Sequence, residues 1–310
     1  MTAAVDVVLL VGYGGPTAPD EVMPFLRKVV EGKGIPDKRL QSVAAHYEAV
    51  GGFSPYNQRT TRLAEALDRW LQERGRYLPV VMGMRNWHPF IDATLAAQVE
   101  ENRRHAAVII LAPHRAETTW DRYLKEVQGA AEAAPGEIHL SFIEPYFDDM
   151  RFIEANGARL EETGLAQDGE WPAAIPVVFT AHSIPTAMAE GSPYVDDLMT
   201  TCREVAELLE IPRWELAYQS RSGNPATPWL EPDVSDVLKR LAGEGVKEVA
   251  VQAIGFLSDH VEVLYDLDIE ARSTAEAAGL RLHRAGCVND HPEFVTLLGE
   301  RIIKLAGDSL

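Results

Sequence analysis

The stretch Val249-Ala-Val-Gln-Ala-Ile254-Gly-Phe-Leu-Ser-Asp259-His-Val-Glu262-Val-Leu-Tyr-Asp266-Leu-Asp-Ile-Glu270 reads as a buried strand that runs directly into a helix. Val249 to Ile254 is a short apolar run of the kind found in strands covered on both faces. Val261, Val263, Tyr265, Leu267 and Ile269 alternate as a strand would, but the segment follows a strand at once and exceeds the length of most strands, so a helix from Asp259 to Ala278 is expected. Glu262, Asp266 and Glu270 stand four apart and form a row in either conformation. A second junction of the same kind follows Ile175 to Phe179, where Thr180-Ala-His-Ser-Ile-Pro185 places His182 beyond a strand. Ligands in open α/β sheets bind at the carboxyl ends of strands. A histidine set there against a row of carboxylates points to the handling of protons or a metal ion. Plainer readings stand beside it. Asp259 and Glu262 also fit a helix-capping box, Asp266 and Glu270 a solvated helix face, and His182 a hydrogen-bonded structural residue.

Outward from these junctions the chain alternates strands and helices. Strands are expected at Val5 to Val11, Val80 to Met84, Val108 to Leu111 and Ile138 to Ile143, then at Ile175 to Phe179, Glu215 to Gln219, Val249 to Ile254 and Leu280 to Arg284. Helical spacing covers Pro19 to Val30, Ser54 to Glu73, Pro89 to Arg104 and Glu117 to Ala134, then Pro193 to Leu209, Val234 to Ala242, Asp259 to Ala278 and Pro292 to Leu305. The expected fold is α/β: two similar Rossmann-like doubly wound halves, 1–164 and 165–310, each a four-stranded parallel sheet flanked by helices, facing each other across a cleft. Tyr13 follows the first strand of its half as His182 follows the first of the other, and a phenol there can hydrogen-bond or ligate. The turn Gly12-Tyr-Gly-Gly-Pro16 lacks the third glycine of a dinucleotide fingerprint, which excludes a nicotinamide site.

With 310 residues, 46% of them hydrophobic and 25% charged, the chain can build a sizeable globular core. Its formal charge of -18 opposes nucleic acid and anionic membranes as partners. Only Cys202 and Cys287 occur, too few for a four-cysteine cluster and suited to a reducing compartment. The amino terminus shows no signal-peptide pattern and no apolar run is long enough for a membrane span, so a cytoplasmic enzyme is expected.

The segments Thr180–Pro185 and Gly255–Asp266 closely resemble the two signature segments of ferrochelatases, enzymes that insert ferrous iron into a porphyrin. His46-Tyr-Glu48 with Gly51-Gly-Phe-Ser-Pro55, Gly83-Met-Arg-Asn-Trp87, and Tyr218-Gln-Ser-Arg-Ser222 with Pro228-Trp-Leu-Glu-Pro232 extend the resemblance over nearly the whole chain. It implies a chelatase fold with the porphyrin in the cleft, His182 and Glu262 catalytic on one face of the macrocycle and Tyr13 on the other. It implies ferrous iron as substrate, with His182, Glu262, Asp266 and Glu270 as its ligands or relay. Tyrosine at position 13 resembles the bacterial type that metallates coproporphyrin III in haem biosynthesis, with protoporphyrin IX as the other substrate considered. No prosthetic group is implied; some relatives carry a [2Fe-2S] cluster, for which two cysteines are too few. Tyr13, Arg27, Ser54, Arg115, Tyr123 and Trp229 are the substrate-binding candidates. Arg27, with Lys28, Arg59, Arg62 and Arg85, would offset propionate charge, and Trp229 would wall the ring. One departure is Pro113-His-Arg-Ala-Glu117 where the family carries a Pro-x-Tyr-Ser-Ser type segment, which offers Arg115 to a propionate in place of hydroxyls. The expected partners are the porphyrin and ferrous iron, with a monomeric enzyme open to transient contact with other haem-pathway enzymes. The alternatives are a cobalt or nickel chelatase for a sirohydrochlorin-type ring, and a tetrapyrrole carrier without chemistry.

Overall fold

Two four-stranded, wholly parallel sheets make up the computed structural model, which describes residues 4–222 and 226–307. The first contains β1 (Val7–Gly12), β2 (Val80–Met84), β3 (His105–Ile110) and β4 (His139–Phe142), in the order β2-β1-β3-β4. The second contains β5 (Val177–His182), β6 (Trp214–Gln219), β7 (Glu248–Gln252) and β8 (Arg281–Ala285), in the equivalent order β6-β5-β7-β8. The doubly wound α/β fold with a repeated half is therefore as expected. β1 and β3 are buried at every residue, which is why their sequences run apolar without alternation.

The strand order fixes where a site can form. The chain leaves β1 for β2 on one side and returns to β3 on the other, so helices diverge to opposite faces at the carboxyl ends of β1 and β3; β5 and β7 repeat this. Tyr13 directly follows β1, His182 is the last residue of β5, and the segment after β7 carries Glu262.

The compact units are Met1–Ala112, Thr118–Pro145 and Asp290–Leu310 for the first, and Pro113–Glu117 with Tyr146–Asn289 for the second. They differ from the linear split into 1–164 and 165–310. The helix Met150–Glu161, which the sequence reading left without an element, packs on the helix Tyr194–Leu208 and gives Ile153 and Leu160 to the core beneath β5. The helix Pro292–Leu305 packs instead on Tyr56–Gln72. Periodicity shows that a helix has an apolar face but not which sheet that face covers. The helix Asp37–Ala49 also went unread, because it buries only Leu40 and Tyr47 and so shows little periodic contrast.

The contact between Pro292–Leu305 and Tyr56–Gln72 closes on a glycine. A Cβ on Gly299 would lie 2.3 Å from the Trp70 ring. That ring is held by Nε1–H donation to Thr296 Oγ1 at 3.2 Å and by the Arg74 guanidinium 3.7 Å from its centroid. Alanine gains about 1 kcal/mol over glycine in a helix interior, but overpacking a well-filled contact costs about 1–3 kcal/mol. With the ring pinned, the clash wins. Gly299→Ala is therefore expected to lower the urea midpoint at unchanged m-value; a raised midpoint would show that Trp70 swings aside freely.

Candidate active site

The site in the second unit is built on a close approach between β5 and the loop that follows β7. A Cβ on Gly255 would come within 2.6 Å of Ala181 Cβ and 2.8 Å of its Cα, so only glycine lets the loop lie against the strand, where Gly255 N donates to Thr180 O at 3.0 Å. His182 is fixed on the other side. Tyr194 Oη donates to its carbonyl at 3.0 Å, and Ser183 N donates to Gln219 O at 2.8 Å. The imidazole Nδ1 lies 2.5 Å from Ser183 O, an acceptor, so Nδ1 carries a proton and Nε2 is the ring nitrogen left to the site. That nitrogen faces Glu262 Oε2 at 3.8 Å. That separation is too long for a hydrogen bond, yet short enough for the two atoms to share one cation bound at about 2.0–2.2 Å from each. Both side chains are reachable, at 32% and 46% exposure.

The capping-box reading of Asp259 and Glu262 fails. His260 is the N-cap, its Nδ1 accepting from Glu262 N at 3.1 Å, and burial holds its imidazole below the ordinary range, in the neutral form that an acceptor requires. Asp259 turns inward instead. It accepts from Arg284 Nη1 at 2.5 Å, Asn289 Nδ2 at 2.8 Å and Cys287 N at 3.3 Å, anchoring the loop. Glu262, at the second helical position, is left to face His182.

The helix runs from Val261 to Ala277 and contains a π-helical stretch, Asp266–Ala271. Hydrogen bonds from i to i+5 wind the chain more slowly, so a four-residue step falls short of a full turn where in an α-helix it overshoots. One step of each kind keeps Glu262, Asp266 and Glu270 close to one line. Asp266 accepts from Ser220 Oγ, and Ser220 holds a left-handed φ of 59° that brings it there. Burial pushes the Asp266 carboxyl up to about 7 against that hydrogen bond, with Glu262 and Glu270 pushing the same way. Glu270 is exposed. Off the row, Asp268 is taken up by Arg284 at 2.6 Å. Among the described residues none of the three row acids is paired with Lys or Arg, and no three His, Cys, Asp or Glu side chains gather closely enough to hold an ion. The four expected iron ligands are thus a facing pair, His182 and Glu262, continued by a row.

The substrate-binding candidates fare unevenly. Tyr13 is 39% exposed, its backbone gripped by Tyr56 Oη, which accepts from its N–H at 3.1 Å, and by Asn86, whose backbone and side-chain N–H groups donate to its carbonyl at 3.0 and 3.2 Å. Trp229 is half-buried, and its segment pairs with the one after His182 through Leu230 N to Ile184 O and Thr186 N to Pro228 O, both at 3.0 Å. Three others have contacts of their own. Arg27 is ion-paired with Asp37 at the surface at 2.8 Å. Ser54 is buried, its hydroxyl accepting from Tyr56 N at 3.3 Å. Tyr123 lies in the core with Trp120 and Val127, where desolvation drives its phenol well above its usual range. Arg115 belongs to the second unit and forks onto buried Asp197 at 3.1 and 3.0 Å, because a carboxylate 3% exposed requires a partner. The sequence reading passed over Gln219, Ser220, Tyr194 and His260 as site residues; the signal for the first two was present in Tyr218–Ser222, but which acid they serve is visible only in the fold.

An acid whose folded pKa lies above its unfolded value binds more protons in the native state. The metal-free protein should therefore lose stability as pH rises from about 4, the usual aspartate range, through about 7, where Asp266 ionises in the fold. Urea midpoints measured across this window should fall less steeply in Asp266→Asn; an unchanged slope would assign the dependence to other groups.

Known proteins resemble the chain in sequence and in fold. A family model described as Ferrochelatase matches residues 6–305. The chain is 38% identical over 306 residues to a protein of Mycolicibacterium vanbaalenii named coproporphyrin III ferrochelatase, covering 97% of this chain and 90% of that one. It is 36% identical to one of the same name from Streptomyces coelicolor, covering 98% and 86% of the two chains. Among solved structures, the sirohydrochlorin chelatase SirB from Bacillus subtilis subspecies spizizenii superposes with a TM-score of 0.57 over 98% of this chain and 96% of that one; at 16% identity the likeness is one of fold. With a family match over nearly its full length, the chain belongs to the ferrochelatase family.

Proposed function

We propose that this ferrochelatase inserts ferrous iron into coproporphyrin III, with His182 and Glu262 as the pair that meets the metal and the leaving pyrrole protons. The observation that carries the assignment of roles is the facing of the His182 Nε2 and a Glu262 carboxylate oxygen across 3.8 Å. Insertion requires two N–H protons to depart while a hydrated cation exchanges water for four ring nitrogens. A neutral imidazole accepts one such proton near neutral pH, and the carboxylate beside it stabilises the imidazolium that results. Asp266, with its carboxyl near 7, exchanges protons at working pH, and Glu270 at the exposed end of the row passes them to water. The same row offers oxygen ligands to an entering cation. Gln219 and Ser220 serve as positioning groups for Asp266.

Coproporphyrin is favoured over protoporphyrin by the names of the relatives from Mycolicibacterium and Streptomyces and by tyrosine at position 13. Tyr13 and Trp229 are the aromatic binding candidates open to a macrocycle; the side chains of Arg27 and Arg115 are exposed as well, each beside a carboxylate. A monomeric enzyme of the cytoplasm, with no prosthetic group, completes the reading; among the described residues no helix is long and apolar enough to cross a membrane. The sirohydrochlorin alternative rests on likeness of fold, and the non-catalytic carrier is favoured by no observation.

His182→Ala and Glu262→Gln are each expected to retain the fold and porphyrin binding while lowering iron insertion at least about a hundredfold, the scale of a lost acid or base. Near-normal turnover in either would remove that residue from the chemistry. Insertion followed by visible absorption, with coproporphyrin III and protoporphyrin IX side by side, should favour the former; equal or reversed rates would withdraw the substrate assignment.

A further inference from the structure

β2 and β6 occupy the same outer place in their sheets, and their registers can be compared residue by residue. Val80 faces Val8 of β1 and Glu215 faces Val178 of β5, four residues before the central strand ends in each case. Glu215 is bound by Arg240 at 2.5 Å, the kind of charge that guards an edge strand against unwanted pairing. β2 has no such guard. It reads Val-Val-Met-Gly-Met, and Val80, Val81 and Met82 are each only half-buried.

The register also fixes which peptide groups are spoken for. Val8 N donates to Pro79 O and Arg85 N to Gly12 O, so the odd-numbered residues of β2 bond β1 while Val80, Met82 and Met84 turn their peptide groups outward. Met84 N donates to Pro89 O and Met82 O accepts from Thr94 Oγ1, which closes the far end. Nearer the start of the strand a groove of about 680 Å³ runs along the edge. Its walls come from the helices Tyr56–Gln72 and Ile91–Glu100, which lie on opposite faces of the sheet. Small residues, Ala64 on one wall and Ala93 and Ala97 on the other, leave room beside the strand. The first wall carries Glu65 and Asp68, and among the described residues no Lys or Arg lines the groove. Tyr77, 80% exposed, stands just before the strand.

We propose that this groove accepts, as an added strand on β2, an extended segment of a partner protein in which basic and apolar residues alternate. Successive side chains of an added strand point to opposite faces. Alternate positions therefore meet the Glu65 and Asp68 wall and the Ala93 and Ala97 wall, which selects cations for one set and small apolar groups for the other. Tyr77 offers an aromatic contact at the mouth. A second copy of this chain is a poorer occupant: it would bring Glu65 and Asp68 of both copies to one seam, between molecules that each carry a formal charge of -18. The inference is independent of the proposed chemistry, since none of these residues belongs to the His182 site.

The probe is a fluorescein-labelled Lys-Val-Lys-Val-Lys-Val peptide amide, titrated into the full chain and compared with Glu-Val-Glu-Val-Glu-Val and with a form of the basic peptide N-methylated at alternate amides. The basic peptide should bind at least about tenfold more tightly than either control. Its binding should slow amide exchange at Val80 and Met82 at least about tenfold. Glu65→Lys with Asp68→Lys, on an exposed helix face, should reverse the charge preference, and Val80→Lys should weaken the basic peptide about tenfold; iron insertion should be unchanged in both. Equal binding of the N-methylated form, unaltered exchange at Val80 and Met82, or a preference indifferent to charge reversal would reduce the effect to non-specific attraction and overturn the proposal. A concentration-dependent dimer in sedimentation that disappears in Val80→Lys would overturn it in favour of a second copy.

Discussion

The site depends on one steric allowance, the absence of a side chain at Gly255 where the loop after β7 crosses Ala181 of β5. A methyl group there would meet both the Cβ and the backbone of Ala181, and the loop would lift away from the strand whose last residue is His182. Buried Asp259 then fixes the loop's far end through Arg284, Asn289 and the amide of Cys287. A buried carboxylate costs several kcal/mol in desolvation unless it is satisfied on every side, so this anchor tolerates little displacement. Between the two fixed points His260 caps the helix and Glu262 is carried to within 3.8 Å of the imidazole.

The acidic residues of this helix divide into two populations by what surrounds them. Asp268 is drawn into an ion pair with Arg284 and serves the fold. Among the described residues no Lys or Arg pairs with Glu262, Asp266 or Glu270, and burial raises the proton affinity of Asp266 to near neutrality. A permanent Lys or Arg partner would instead hold each carboxylate in its ionised form. The π-helical stretch keeps the row aligned, where a uniform α-helix would rotate each acid further round the axis.

The two sheets share strand order and diverge in what each strand end carries. After β1 stands a tyrosine held by Tyr56 and Asn86, after β5 a histidine held by Tyr194 and Ser183. Their outer edges diverge as well, β6 bearing an ion pair where β2 presents valine. A repeated scaffold thus supports unlike surfaces, because the apolar pattern that sets strand order leaves strand ends and edges unconstrained.

The amino-acid sequence by itself determined that the chain is an α/β repeat with eight strands, since continuous Val, Ile and Leu runs of the kind in β1 and β3 bury on both faces in a parallel sheet. It also placed His182 and the Glu262 row at strand ends, where motif and period coincide. What it could not contain is partnership. Arg27, Arg115, Ser54 and Tyr123 were chosen by residue type, which does not show the contacts that the fold gives them with Asp37, Asp197, Tyr56 N and the core. Asp259 looked like a helix cap and became a loop anchor, while His260 took the cap. The exchange of Met150–Glu161 and Pro292–Leu305 between units was equally invisible. Local sequence sets backbone conformation and the burial of a face, whereas the charge or hydrogen-bond partner of a side chain is supplied by residues distant along the chain, and only tertiary structure decides which of them arrives.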